Sequence, residues 1–277
     1  SKHSFNNKFG VPLSIFNTPE AAKFAVLEVG MDKKGEIDYL TNLIKPNLGL
    51  ITNISYAHIK NFKNLNQIAK AKGEIINNVT HGGTIVINMD DNYYKYFKKK
   101  SKKRGLRILT FSKSNRSADI VFLNKKIYKK NYLISFKVKG KIKSFLVSKN
   151  LSNYIDNILA SLSVICNYFD IKRLSRNLFL GFKIPKSRGS LINLKKGSKK
   201  LTLIDESYNS NPLSLKSAIL NYDQIVSKKF KKYLLLGDML ELGSHSKKLH
   251  KSIAPVINKT KIDKVFIKGH YMKSMFE

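Results

Sequence analysis

A chain of 277 residues with 42% apolar content is long enough for two domains and a sizeable core, and no window offers the roughly 18 consecutive apolar residues of a membrane span. The formal charge of +34 would suit a nucleic-acid binder, but arginine is confined to six positions and the lysines are spread along the whole chain, whereas nucleic-acid sites favour the bidentate contacts of arginine. A single cysteine, Cys166, excludes a disulfide framework within the chain and fits a cytosolic location.

In chain order, Phe24–Val29 is a continuous apolar run closed by Gly30, as in a strand buried on both faces. Residues 35–44 place Ile37, Leu40, Leu43 and Ile44 at helical spacing, stopped by Pro46. Strands are predicted over 48–54, 84–89 and 106–111, with helices over 65–79 and along the lysine-rich stretch after the Asp90-Asp91-Asn92 turn. This alternation indicates a mostly parallel sheet with covered faces. Short strands over 118–123, 132–138 and 142–147 then read as an antiparallel meander, followed by helices over 154–169 and 172–180. Pro185-Lys186-Ser187-Arg188-Gly189 is the candidate linker. Beyond it the alternation restarts: strand 201–204, helix 212–226, strand 233–236, helix 246–257 and strand 265–268 form a second, Rossmann-like α/β unit.

Ligands of open parallel sheets sit outside the carboxyl ends of the strands. Glu28 closes the first apolar run, where a charge must be paired, protonated or metal-bound. His58 lies just past the second predicted strand. Lys72 occupies the stripe of the 65–79 helix, between Ile68/Ala69 and Ile75/Ile76, where an apolar residue is expected. It either snorkels along the helix surface or is buried with its ammonium form disfavoured. A neutral amine can take up carbon dioxide to form a carbamate, and Glu28, His58 and carbamylated Lys72 would then make a hard O/N site suited to magnesium.

Longer strings carry more. Phe5-Asn6-Asn7-Lys8-Phe9-Gly10-Val11-Pro12, Val26-Leu27-Glu28-Val29-Gly30-Met31, Gly35-Glu36-Ile37, Asn53 with Ala57-His58, and Ala69-Lys70-Ala71-Lys72-Gly73-Glu74-Ile75 follow one another in the order found in the central domain of Mur ligases, which the chain resembles. Asp205-Glu206-Ser207-Tyr208-Asn209-Ser210-Asn211-Pro212, and Gly237-Asp238-Met239-Leu240-Glu241-Leu242-Gly243 with His250, are similar to signatures of the C-terminal domain. The resemblance covers nearly the whole chain and is nearest to the member that joins D-alanyl-D-alanine to UDP-N-acetylmuramoyl-tripeptide. It implies a monomeric, cytoplasmic bacterial enzyme using ATP and Mg2+, with residues 1–187 as the central ATP-binding domain and 188–277 as an incomplete C-terminal domain. It also implies roles: Glu28 and His58 as magnesium ligands, Lys72 as the carbamylated lysine, Asn157 near the adenine, Arg188 on the ATP phosphates or the acyl phosphate, Asp205 and Glu206 facing the ribose, and Asn6, Asn7, Asn209 and Asn211 toward substrate. Before Asn157 the family has Gly-x-His where this chain has Leu151-Ser152-Asn153.

No G-x-x-x-x-G-K-[S/T] phosphate loop occurs in the sequence. In the resembled family it shortly precedes the Asn-Asn pair, so the resemblance places it upstream of Ser1 and makes the chain an internal fragment, inactive alone. Another Mur ligase, a folylpolyglutamate synthase-like ligase and a basic nucleic-acid-binding protein are the competing expectations.

Overall fold

The computed structural model describes residues 5–197, 199–225 and 230–276. The chain forms two compact units, one of Ser1–Ile54 and Asn64–Gly181, the other of Ser55–Lys63 and Phe182–Glu277.

The first unit runs α1 (Gly10–Phe16), α2 (Glu36–Ile44), β1 (Leu48–Ile51), α3 (Leu65–Lys72), α4 (Ile75–Asn78), β2 (Thr84–Asn88), α5 (Tyr94–Lys103), β3 (Arg107–Ser112), β4 (Ile120–Tyr128), β5 (Asn131–Val138), β6 (Lys141–Val147) and α6 (Ile155–Tyr168). Its six strands pair in sequence order, parallel from β1 to β4 and antiparallel from β4 to β6. This is the parallel sheet with an appended meander that the alternation implied. Successive residues of β2 face opposite sides. Ile85 and Ile87 pack in one cluster with Ala69 of α3, Ile76 of α4 and Phe97 of α5. Val86 joins Phe111, Phe136, Phe145 and the apolar face of α6 in the other, where Leu159 and Leu162 are fully buried. Both faces are therefore covered, which is why β2 is apolar along its length. Cys166 is buried among these residues, and burial pushes its thiol pKa up.

Four expectations need correction. Residues 24–29 form no strand and are mostly exposed, Val26 at 78%. A strand needs a ladder, and among the described residues β1, the edge of the sheet, pairs only with β2. The helix over 65–79 is broken at Gly73-Glu74 into α3 and α4. Gly73 is a poor helix residue, and the Glu74 carboxylate is drawn to the start of α2, accepting from Gly35 N at 2.9 and 3.0 Å and from Asp38 N at 3.2 Å. Residues 172–180 hold only a 3-10 turn, Ile171–Arg173. They cover β6 instead, through Leu146 N to Arg176 O at 2.8 Å and a bridge between Val147 and Phe179. The helix over 246–257 is interrupted by Pro255, which lacks the amide to continue it.

The second unit runs β7 (Ser190–Lys196), β8 (Lys199–Asp205), α7 (Pro212–Ile225), β9 (Tyr233–Gly237), α8 (Ser246–Lys251), α9 (Ala254–Ile257) and β10 (Lys264–Lys268). β7 and β8 form an antiparallel hairpin, with Gly197 at φ 59° in its turn. β7 was not foreseen. β9 and β10 pair in parallel, as a βαβ alternation requires. Among the described residues no sheet runs through both units.

Candidate active site

Glu28 is exposed, so the premise that its carboxylate is buried in a strand does not hold. It is nevertheless held: Asn6 Nδ2 donates to Glu28 Oε1 at 3.0 Å. Asn6 is fixed in turn, because its carbonyl accepts from Gly30 N at 2.8 Å and its amide lies so close to Gly30 that a Cβ there would come within 2.9 Å. Asn7 does different work. Its side chain accepts from Phe9 N and Gly10 N at 3.1 and 2.9 Å and so closes the turn that starts α1.

Lys72 ends α3 half-buried, with Ile68, Ala69 and Ala71 buried beside it. Its Nζ donates to Asn53 O at 3.0 Å. Burial lowers its pKa, and the nearby Asp91 carboxylate opposes that shift. Asp91 is itself a tie between two strand exits, accepting from Ile54 N at 2.7 Å after β1 and from Tyr93 N at 2.8 Å after β2. The lysine thus sits at the carboxyl edge of the parallel sheet, as α/β architecture favours for a ligand site. Were its amine carbamylated, the nitrogen would keep one hydrogen for the Asn53 carbonyl.

Asn157 is exposed in the first turn of α6. The preceding turn, Leu151–Asn153, is anchored by Lys125, whose Nζ lies 3.2 Å from Ser152 Oγ and 4.4 Å from the Tyr132 ring centroid.

In the second unit, His58 heads a 3-10 turn, Ile59–Asn61, in a left-handed conformation with φ 60°. Its Nδ1 stands 2.7 Å from Glu241 Oε2. The linker folds around Asp205. Ser187 Oγ donates to one carboxylate oxygen at 2.8 Å, Ser207 N to the other at 3.0 Å, and Gly189 N to the Asp205 carbonyl at 2.8 Å. Hydrogen bonds from Ser207 and Ser187 hold its carboxyl below the usual range. Arg188 is exposed, with its guanidinium 4.3 Å above the Tyr208 ring, a cation–π contact that orients the charge. Glu206 and Asn209 are exposed. Asn211 caps α7, its side chain accepting from Leu213 N and Ser214 N at 3.0 and 3.1 Å.

His250 is wholly buried, with Nδ1 against Ser246 O at 2.7 Å and Nε2 accepting from Met239 N at 2.9 Å. Asp238 accepts from Tyr271 N and Met272 N. These two residues of the second signature pin its loop.

Residues 1–165 match the family profile described as the Mur ligase middle domain. The chain belongs to the Mur ligase family. Among its Mur ligase relatives, the UDP-N-acetylmuramoyl-tripeptide–D-alanyl-D-alanine ligase of Buchnera aphidicola subsp. Acyrthosiphon pisum is 32% identical over 268 residues, which are 96% of this chain and 57% of that protein. MurF from Acinetobacter baumannii superposes with a TM-score of 0.86 at 22% identity, covering 99% of this chain and 58% of that one. MurF ligase from Thermotoga maritima in complex with ADP gives 0.81 at 24% identity, covering 97% and 60%. At these identities the structures show the Mur ligase fold. The chain spans little more than half the length of the relatives it matches.

Glu241 lies within the Gly237–Gly243 signature, which assigns it no role, although its carboxylate meets His58. Nothing in the local pattern announces a contact between residues so far apart in the chain. Asp91 was likewise noted only as a turn residue.

Proposed function

We propose that this chain is the central and early C-terminal part of a UDP-N-acetylmuramoyl-tripeptide–D-alanyl-D-alanine ligase, an ATP-dependent enzyme of bacterial cell-wall precursor synthesis. The observation that carries the reading is the placement of its motifs: Lys72 and Asn157 border the sheet of a Mur ligase central domain, and the Asp205 and Gly237 signatures form built loops in the unit that follows. Residues 1–187 and 188–277 are read as the central and C-terminal domains.

The reaction activates the carboxylate of the tripeptide with the γ-phosphate of ATP as an acyl phosphate. The amine of D-alanyl-D-alanine attacks its carbonyl carbon, and phosphate departs as the amide forms. Arg188 supplies a fixed positive charge for the phosphoryl oxygens, and Asn157 faces the adenine. Asp205, which shapes the linker that presents Arg188, and the exposed Glu206 are both assigned to the ribose. Asn6, Asn7, Asn209 and Asn211 are assigned to substrate through their loops, since Asn7 and Asn211 already hold backbone amides with their side chains.

The magnesium roles of Glu28, His58 and Lys72 are carried over from the family resemblance; within the first unit Glu28 offers an exposed carboxylate held by Asn6, and within the second His58 offers an imidazole whose Nδ1 lies 2.7 Å from Glu241 Oε2. Hard oxygen donors and a single imidazole suit that ion. Among the described residues no three or more His, Cys, Asp or Glu gather into a metal cluster, and a carbamate on Lys72 would add hard oxygen donors of the kind magnesium takes. Bound magnesium would offset the charge that develops on the phosphoryl oxygens. Among the described residues no helix is long and apolar enough to cross a membrane. A monomer in the cytoplasm is the state proposed.

The test uses a version of the protein extended upstream to include a phosphate loop. Lys72→Ala is expected to abolish substrate-dependent phosphate release, and a short carboxylic acid to restore part of it. Full activity in the variant, or loss with no rescue by any such acid, would contradict the carbamate assignment.

A further inference from the structure

An open cleft of about 430 Å3 lies on the helical layer of the first unit. It is lined by Lys34 ahead of α2, Asp38 in α2, Lys70 in α3, Glu74 between α3 and α4, and Tyr96 and Lys100 in α5. Positions two apart on an α-helix point about 200° from each other, so Lys70 faces this cleft while Lys72 donates to Asn53 O on another side of α3. Both carboxylates of the lining are already committed. Glu74 accepts from Gly35 N and Asp38 N, and Asp38 Oδ1 accepts from Asn77 Nδ2 at 2.8 Å and Asn78 Nδ2 at 3.1 Å. The donors are not used up. Lys100 Nζ gives one hydrogen to Gly73 O at 2.7 Å and keeps two. Among the described residues the exposed Lys34 and Lys70 ammonium groups and the Tyr96 hydroxyl make no hydrogen bond or ion pair. Three lysines against two carboxylates leave the lining with one positive charge in excess.

A cleft whose acceptors are taken and whose donors are free is complementary to a ligand that only accepts. Burial pushes the Lys100 ammonium toward its neutral form, and the Glu74 and Asp38 carboxylates oppose that shift. A further negative charge beside it would act in the same direction. The donors come from three separate elements, which suits a tetrahedral oxyanion with acceptor oxygens on every side. A planar carboxylate is matched best by the paired donors of an arginine, and no arginine among the described residues lines the cleft. Its volume lies within the roughly 300–1,000 Å3 of small-molecule sites. We propose that this cleft binds a small phosphate-bearing anion through Lys34, Lys70, Lys100 and the Tyr96 hydroxyl, as a site separate from the one built around Lys72. The proposal does not depend on the ligase reading.

The experiment titrates the chain with pyrophosphate by isothermal titration calorimetry in about 0.15 M KCl, where a Debye length of roughly 8 Å screens remote lysines. Citrate serves as the carboxylate comparison. Lys34→Gln/Lys70→Gln is set beside Lys126→Gln/Lys130→Gln, which removes the same charge from exposed positions of the β4–β5 hairpin. The wild type is expected to bind pyrophosphate saturably and more tightly than citrate. The cleft double variant should bind about 10-fold more weakly, and the hairpin double variant as the wild type does. Tyr96→Phe keeps the ring and removes the hydroxyl, so a loss of about 3-fold is expected, and it carries the test if the cleft double variant does not fold. No saturable binding by the wild type, equal affinities in the two double variants, an unchanged affinity in Tyr96→Phe, or citrate bound as tightly as pyrophosphate would overturn the proposal.

Discussion

Lys232, just before β9, is 3% exposed, and its Nζ donates to Asp223 Oδ1 at 2.8 Å and to the Asp223 carbonyl at 2.7 Å. A buried ammonium without its counter-charge is strongly unfavourable. The hydrogen bond from Lys232 holds the Asp223 carboxyl below its ordinary value of 3.8. A carboxyl depressed by folding contributes stability above its unfolded pKa and loses it as pH falls through the lower folded value. Asp223→Asn is therefore expected to lower the urea midpoint at pH 7, with the gap to wild type closing in acid below the usual aspartate range. A gap that stays constant into that acid range would contradict the assignment. At this scale the sequence was only partly legible. Residue type and motif pointed to Glu28, His58, Lys72, Arg188 and Asp205, but not to their partners. Asn7, Asn211 and Asp205 bind backbone amides of their own loops, and a sequence string does not separate that duty from ligand contact. The His58–Glu241 contact depends on two left-handed residues meeting across the chain, which no local pattern encodes.

Helices and strands with a clean apolar period were legible: β2, β3, the meander, α5, α6 and the β9–β10 pair lie close to where periodicity put them. Failures have physical causes of two kinds. Some elements depend on distant partners: the apolar run over 24–29 has no ladder among the described residues, and β7 became clear only through its pairing with β8. Others are broken by a side chain or ring, as Gly73-Glu74 and Pro255 do. Glu74 is the instructive case, because it lies inside a family motif yet works as a cap on α2. It is 7% exposed and accepts from Gly35 N and Asp38 N. Glu74→Ala removes the shared acceptor of these part-buried hydrogen bonds, at a cost of about 1 kcal/mol. Urea unfolding of the first unit should show that loss, and a change below about 0.5 kcal/mol would mean the helix start is satisfied in another way.

Across the whole molecule, the order of motifs carried the family, and the family profile over residues 1–165 agrees. Composition alone pointed elsewhere, since a charge of +34 reads as nucleic-acid affinity until the scarcity of arginine is weighed. The chemistry proposed needs more than this chain's own loops. Backbone amides around the β- and γ-phosphates are not offered by any G-x-x-x-x-G-K-[S/T] string in it, and positioning of a substrate carboxylate is worth roughly 7–11 kcal/mol of a barrier. The decisive measurement is phosphate release with ATP, magnesium and UDP-N-acetylmuramoyl-tripeptide, in the presence and absence of D-alanyl-D-alanine, for the chain as given and for a version extended upstream through a phosphate loop. The account predicts no release by the chain and dipeptide-dependent release by the extended protein. Robust release by the chain itself, or release by the extended protein that responds to glutamate or diaminopimelate and not to D-alanyl-D-alanine, would contradict it.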